Sequence, residues 1–300
     1  MKYTKILSAA VMTVVALGFV SCSNDDDIDY DKSVIVTTNA PQNDLDRWIE
    51  RNITSPYNIQ IQYRLEDIEG DMNYYLIPAD YQGSILMSHL LKYLCLETYN
   101  EAAGTDFTCR YFPKLFCYAG EWKYKNNGTI VLATAEGGRK IYLCGLNYLP
   151  ASINNVGTLN SRYFKTIHHE FTHILNQTFP IPADYQLITG TGYVADLWSE
   201  SPYNTDYLTR GFISSYAQHS YTEDFAEMMS IYITNTASYW DAQMEQAGDG
   251  ADALEQKITI VRDYMKTNFD IDIDELRNIL QRRQNDVANG SVNLTDLTLK

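Results

Sequence analysis

The run His168-His169-Glu170-Phe171-Thr172-His173 constrains this chain more than any other segment. An α-helix turns once in 3.6 residues, so His169 and His173, four apart, leave one face about 6 Å from each other. Two imidazoles at that spacing can share one Zn2+. Glu170 projects beside them, where a carboxylate can take a proton from an attacking water. His168 stands about 100° around the helix and cannot join the ligand face, so it belongs either beside the ligands or in the core. Ile167, Phe171, Ile174 and Leu175 form an apolar stripe, which predicts a helix packed on a core and not a solvated one. Ser161 as N-cap and Pro180 as stop predict an ordinary length.

Two histidines leave such a site incomplete, because catalytic zinc usually has three protein ligands and one open position. The metzincin continuation would require Gly and His where this chain has Asn176 and Phe179, which excludes that class. A third ligand must come from a distant segment, and the candidates are Glu200, His219, Glu223 and Glu227. The two glutamates lie four apart in a helix predicted to start at Thr222, so they share a face. One can bind the metal while the other accepts the free N–H of a ligand histidine and fixes its tautomer. The plainer alternative is an acidic first turn, solvated and favoured by the helix dipole. His219 is less well placed than either glutamate, and His89, inside an apolar helical stretch, reads as structural.

Elsewhere the pattern predicts a helix over 44–51, a strand over Ile59–Tyr63 and a helix over Ser84–Asn100. A hairpin of Thr129–Ala133 and Lys140–Cys144 follows, turning at Glu136-Gly137-Gly138, and helices are expected around 223–234, 251–267 and 274–286. Strands first and helices afterwards indicate an α+β fold: a zincin-like metalloprotease domain with a small mixed sheet, the HExxH helix and C-terminal helices. An edge strand of that sheet can hold an extended substrate above the metal. Between the metal-bearing segments lie Tyr185, Tyr193, Trp198, Tyr203 and Tyr207, a candidate substrate wall. With 24 tyrosines in the chain, composition alone accounts for them equally well.

The first residues bear on compartment. Lys2 and Lys5 precede an uncharged, mostly apolar run from Ile6 to Val20, too short to span a bilayer comfortably. It ends at Ser21-Cys22, a bacterial lipobox pattern in which the signal is cut before Cys22 and that cysteine is lipidated; an ordinary signal cleaved near Ser21 is the alternative. Asp25, Asp26, Asp27, Asp29 and Asp31 then form an acidic run. It is similar to the surface-export signal of certain Gram-negative lipoproteins, and equally a solvated tether. The expected organisation is a signal peptide over 1–21, a lipidated acidic tether over 22–40 and one catalytic domain over 41–300. Loss of Lys2 and Lys5 takes the net charge from −15 to about −17, which argues against nucleic acid as a partner and leaves a lipid anchor as the membrane contact. Cys95, Cys109, Cys117 and Cys144 remain, either as up to two disulfides in any of three pairings or as free thiols.

His169-Glu170-Phe171-Thr172-His173 and Ser215-Tyr216-Ala217, followed by Glu223-Asp224-Phe225-Ala226-Glu227, resemble the gluzincin arrangement of the anthrax lethal factor catalytic domain. They resemble more closely the bacterial lipoproteins described as substrate import-associated zinc metallohydrolases, a zinc-binding metallopeptidase family. The likeness runs through most of the mature chain, including the hairpin near 128–147 and the segment Asp272–Arg277. It implies that His169, His173 and Glu223 are the zinc ligands, Glu170 the general base, Glu227 a supporting acid and Tyr216 the donor to the oxyanion. It also implies association with an outer-membrane nutrient importer at the cell surface, while the chemistry of a zinc-activated water fits a peptide or protein substrate best, with an amide or ester of another surface polymer as the alternative. A different class of function, a surface lipoprotein that binds peptide or glycan around a structural or vestigial zinc, is opposed by the intact Glu170, which a merely structural site does not need.

Overall fold

The computed structural model describes residues 41–64, 77–124, 130–131, 133–136 and 140–299. The expected leader, Cys22, the acidic tether and the Gly137-Gly138 turn lie outside the described residues. Helix α1 covers residues 44–57. It opens with a reciprocal capping box, in which the Asn43 side chain accepts from the Asp46 N–H (2.9 Å) and Asp46 accepts from the Asn43 N–H (2.8 Å). It runs past the predicted end at Arg51 through a wider π turn at Glu50–Thr54 and stops where Asn58 takes a left-handed conformation. Strand β1 (Gln60–Gln62) follows, then helix α2 over residues 81–103, capped by Asp80, and α3 (Thr105–Tyr111).

Strands β2 (Leu115–Tyr118), β3 (Lys123–Tyr124), β4 (Ile130–Val131), β5 (Ala133–Glu136) and β6 (Lys140–Leu143) come next. The main sheet has the order β1-β2-β6-β5, with β1, β2 and β6 parallel and β5 antiparallel on the edge. It is the small mixed sheet expected, with one strand the pattern did not predict. β2 is a short run, buried at Phe116, Cys117 and Tyr118, and a strand covered on both faces shows no alternation to read. The predicted hairpin forms between β5 and β6, where Glu136 faces Lys140 and Ala133 faces Leu143. Its first strand is shifted, however. Ile130 and Val131 pair instead with Lys123 and Tyr124 in a separate two-stranded ribbon, so the apolar run has changed partner by Ala133. Periodicity carries no information about which partner a strand segment chooses.

Helix α4 covers residues 156–178, with a wider turn at Asn160–Phe164 before the regular stretch Lys165–Thr178. Asn155, not Ser161, is its N-cap, accepting from the Thr158 N–H at 2.9 Å. Ser161 lies one turn inside and bonds back to the Thr158 carbonyl. At the other end Phe179 is already extended, as a residue before proline must be, so Pro180 stops the helix. The remaining helices are α5 (Ala183–Thr189), α6 (Tyr221–Thr234), α7 (Ala237–Ala247), α8 (Ala251–Phe269) and α9 (Ile273–Ala288). The pattern missed α7, which buries only Trp240 and Ala247 and so lacks a readable stripe.

Helix α6 is the centre of the body: every residue from Asp224 to Thr234 is buried. It packs on α4 along one side and on α8 and α9 along others, and β5 lies against α4. The stripe on α4 enters the core as expected. Phe171 meets Phe112, Tyr99 and Phe107 at ring separations of 4.8, 5.0 and 5.9 Å. Cys95, Cys109, Cys117 and Cys144 are all free thiols. No described helix is long and apolar enough to cross a membrane.

Candidate metal centre

The apolar stripe of α4 fixes the helix rotation, and that rotation turns His169 and His173 toward the start of α6. Helix α6 begins at Ser220, whose hydroxyl accepts from the Glu223 N–H. That cap sets Glu223 in the first turn, facing α4. The result is a triangle of donors. His169 Nε2 lies 2.9 Å from Glu223 Oε2 and 3.1 Å from His173 Nε2, and His173 Nε2 lies 3.3 Å from the same carboxylate oxygen. Ligands bound to zinc at about 2.0–2.1 Å in a tetrahedron stand about 3.3 Å apart, so these separations suit a zinc ion capping the triangle with its fourth position open. Among the described residues this is the one group of three or more His, Cys, Asp or Glu side chains able to hold a metal.

The surroundings orient the ligands. Glu227, one helical turn beyond Glu223 and almost wholly buried, places Oε1 2.8 Å from His169 Nδ1 and 2.6 Å from Lys165 Nζ. Nδ1 faces this carboxylate, and a proton kept on Nδ1 by that charge leaves the Nε2 lone pair for a metal. Burial would raise the Glu227 carboxyl, but Lys165 and His169 hold it down at about 2, so it stays an anion. Glu223 is also held well below the usual carboxylate range: burial opposes this, and the two histidines outweigh it. Glu170 moves the other way. Burial raises it, the two neighbouring glutamates add to the rise, and His169 and His173 resist. A carboxylate with its pKa raised is suited to taking up a proton and passing it on.

Tyr216 opens a short 3-10 turn (Tyr216–Gln218) just before α6. Its ring centroid lies 6.0 Å from that of His169, and burial together with the nearby Glu223 carboxylate raises its hydroxyl far above a free phenol, so it remains a donor. Trp198 packs edge-on against Tyr216 at 5.1 Å. Of the five aromatics between the metal-bearing segments, Trp198 is the one in ring contact with Tyr216. Tyr185 is fully buried against Phe225 and is a core residue, not a substrate wall, while the half-buried Tyr193 donates to Asp224 at 2.9 Å.

The other candidates fall elsewhere. Glu200 is exposed and outside the cluster, and His219 Nε2 faces Asp196 at 3.5 Å. His168 points into the core, its Nδ1 2.9 Å from the Tyr99 hydroxyl, and burial lowers it to about 3. His89 is buried against Trp48, as its apolar helix suggested. The pattern gave no sign of Lys165 or Ser214 as partners of Glu227. Lys165, four residues before His169, could have been found from helix spacing; Ser214 could not, because it arrives on a loop.

An α+β body that brings two histidines of one helix and a glutamate of another together has a site able to hold zinc, with the His-His-Glu donor set found in zinc metallohydrolases. The comparisons agree. Residues 38–274 match the family described as "Putative zinc-binding metallo-peptidase", and the chain belongs to that family. A crystal structure described as a putative zinc-binding metallo-peptidase from Bacteroides caccae ATCC 43185 is similar at 35% identity and a TM-score of 0.74, covering 85% of this chain and 96% of its own. No match was found among the curated proteins.

Proposed function

We propose that this chain is a cell-surface lipoprotein that hydrolyses peptide bonds, with His169, His173 and Glu223 as zinc ligands and Glu170 as general base. The observation that carries the reading is the convergence of three ligand atoms within 3.3 Å of one another, with Glu170 beside His169 on α4 and close enough to feel the charges of His173 and Glu223. Zinc bound there would supply Lewis acidity, making water a nucleophile near neutral pH and polarising a carbonyl. Glu170 takes the proton of the attacking water and returns it to the leaving amine. The Tyr216 hydroxyl donates to the oxygen on which negative charge develops. Glu227 holds His169 in the ligating tautomer. Strand β5, on the sheet edge and against α4, offers backbone groups to an extended peptide.

The surface location and lipid anchor rest on the Ser21-Cys22 pattern and the acidic run after it, and a link to an outer-membrane importer rests on resemblance. The test is incubation of the zinc-loaded mature chain with a diverse peptide mixture, beside Glu170→Gln. New peptide termini from the first and none from the second are expected. Tight binding of peptides that are never cut would instead support the non-catalytic surface binder.

A further inference from the structure

Glu227 does more than face His169. Its Oε1 lies in ion-pair contact with His169 Nδ1 and Lys165 Nζ, both from α4, at 2.8 and 2.6 Å, while its Oε2 accepts from the Ser214 hydroxyl at 2.7 Å. Ser214 lies on the loop entering α6, and its Oγ in turn accepts the Ala217 N–H at 3.1 Å. That N–H belongs to the residue following Tyr216. One carboxylate therefore joins a metal-ligating histidine, through one hydroxyl, to the backbone of the turn that carries Tyr216. The turn is tied down at its other end as well, since the Val194 N–H donates to the Gln218 carbonyl at 2.8 Å and Arg210 Nε donates to Gln218 Oε1 at 2.8 Å. Those bonds hold the loop to itself. The Ser214 bond holds it to the metal-bearing helices.

We propose that Ser214 is a positioning residue, which fixes the distance between the Tyr216 hydroxyl and the ligand triangle by clamping the Tyr216 turn to Glu227. This rests on the metallopeptidase reading above, with Tyr216 as the oxyanion donor. A hydroxyl suits the link because one group must donate to a carboxylate and accept from a backbone N–H together, which alanine cannot do and threonine can. The bond lies on the side of Glu227 away from His169, so removing it leaves Lys165 and His169 in place on Oε1.

The test uses the full mature chain loaded with zinc and the peptide mixture as probe. Ser214→Ala should lower kcat about 10–100-fold, in the range of support residues around metal ligands, with zinc content and KM little changed. Ser214→Thr should restore most of the rate. In a Tyr216→Phe background Ser214→Ala should cost almost nothing further, since both act through one hydroxyl. A second readout does not need turnover. Trp198 is packed on Tyr216, so the emission difference between the chain and its Trp198→Phe variant should shift in Ser214→Ala and return in Ser214→Thr. Unchanged Trp198 emission, an undiminished effect of Ser214→Ala in the Tyr216→Phe background, or loss of zinc or of the folded state in Ser214→Ala would each overturn the proposal. A normal rate in Tyr216→Phe alone would instead remove the oxyanion role, and the emission would then decide the clamp by itself.

Discussion

Glu223 and Glu227 are the same residue type one helical turn apart, and their surroundings give them different work. Glu223 is half-buried with an oxygen in the ligand triangle; Glu227 is sealed behind His169 and bound by Lys165 and Ser214. Glu223→Ala, His169→Ala and His173→Ala should therefore lose zinc, while Glu170→Gln keeps it, and elemental analysis of each purified variant checks this. Zinc lost in Glu227→Ala but kept in Glu223→Ala would reverse the two roles. Tyr216→Phe deletes one hydroxyl and keeps the ring on His169 and Trp198. If that hydroxyl meets the oxyanion, kcat should fall by about 10²–10³ with zinc content unchanged. Steady-state kinetics showing an unchanged kcat would reduce Tyr216 to a packing role.

At the scale of elements, the helix carrying Glu223 is held by a buried charge pair that the proposed chemistry does not use. Lys257 on α8 meets Asp224 on α6 at 2.6 Å, both with no exposure, and Lys257 also donates to the Gly211 carbonyl at 2.7 Å. The pair joins α8, the helix carrying Glu223 and the loop leading to Tyr216. Pairs of this kind add little over apolar packing, but removing one partner strands a charge and costs about 3–5 kcal/mol. Lys257→Met should show that loss in denaturant unfolding, and Lys257→Met with Asp224→Leu should recover much of it. A double variant no more stable than the single would contradict this account. The hairpin offers a similar lesson. Turn chemistry at 136–138 located it, yet the register and the exchange of Ile130–Val131 to another ribbon depended on β2, β3 and β6 being present as partners.

For the whole molecule, acid should be the weak direction. His89 lines a cleft with Trp48, Tyr93 and the tail near Asp296, and burial, with Lys92 adding, lowers it to about 4. The unfolded chain binds that proton near pH 6.5, so the folded form loses stability as pH falls from about 6.5 toward 4. Allowing for solvent screening through the cleft, the loss at pH 5 is roughly 1 kcal/mol. Thermal unfolding between pH 7 and 5 should show a smaller drop in His89→Phe than in the parent; equal drops would mean that His89 is already solvated. The anchor is tested on cells: Cys22→Ala should release the protein from membranes. Replacing Asp25, Asp26 and Asp27 by Ala should leave it bound but less accessible to added protease, and unchanged accessibility would make the acidic run only a tether.

The helix through His169 and His173 was legible because a metal site built on one helix is a local object: 3.6 residues per turn decides both the ligand spacing and the buried stripe. The i, i+4 pairing of Glu223 and Glu227 was legible for the same reason, though residue pattern alone left open which of them faces the metal. That choice belongs to the angle at which α6 crosses α4, and the crossing depends on a core assembled from Phe171, Phe225 and the helices behind them. Ser214 as a partner of Glu227 and the packing of Trp198 on Tyr216 were beyond reach. Both depend on where the segment before α6 comes to rest, and such a segment has no period from which its facing can be read. Local periodicity thus determined the chemistry that the chain carries, and only tertiary packing decided which side chains aim that chemistry.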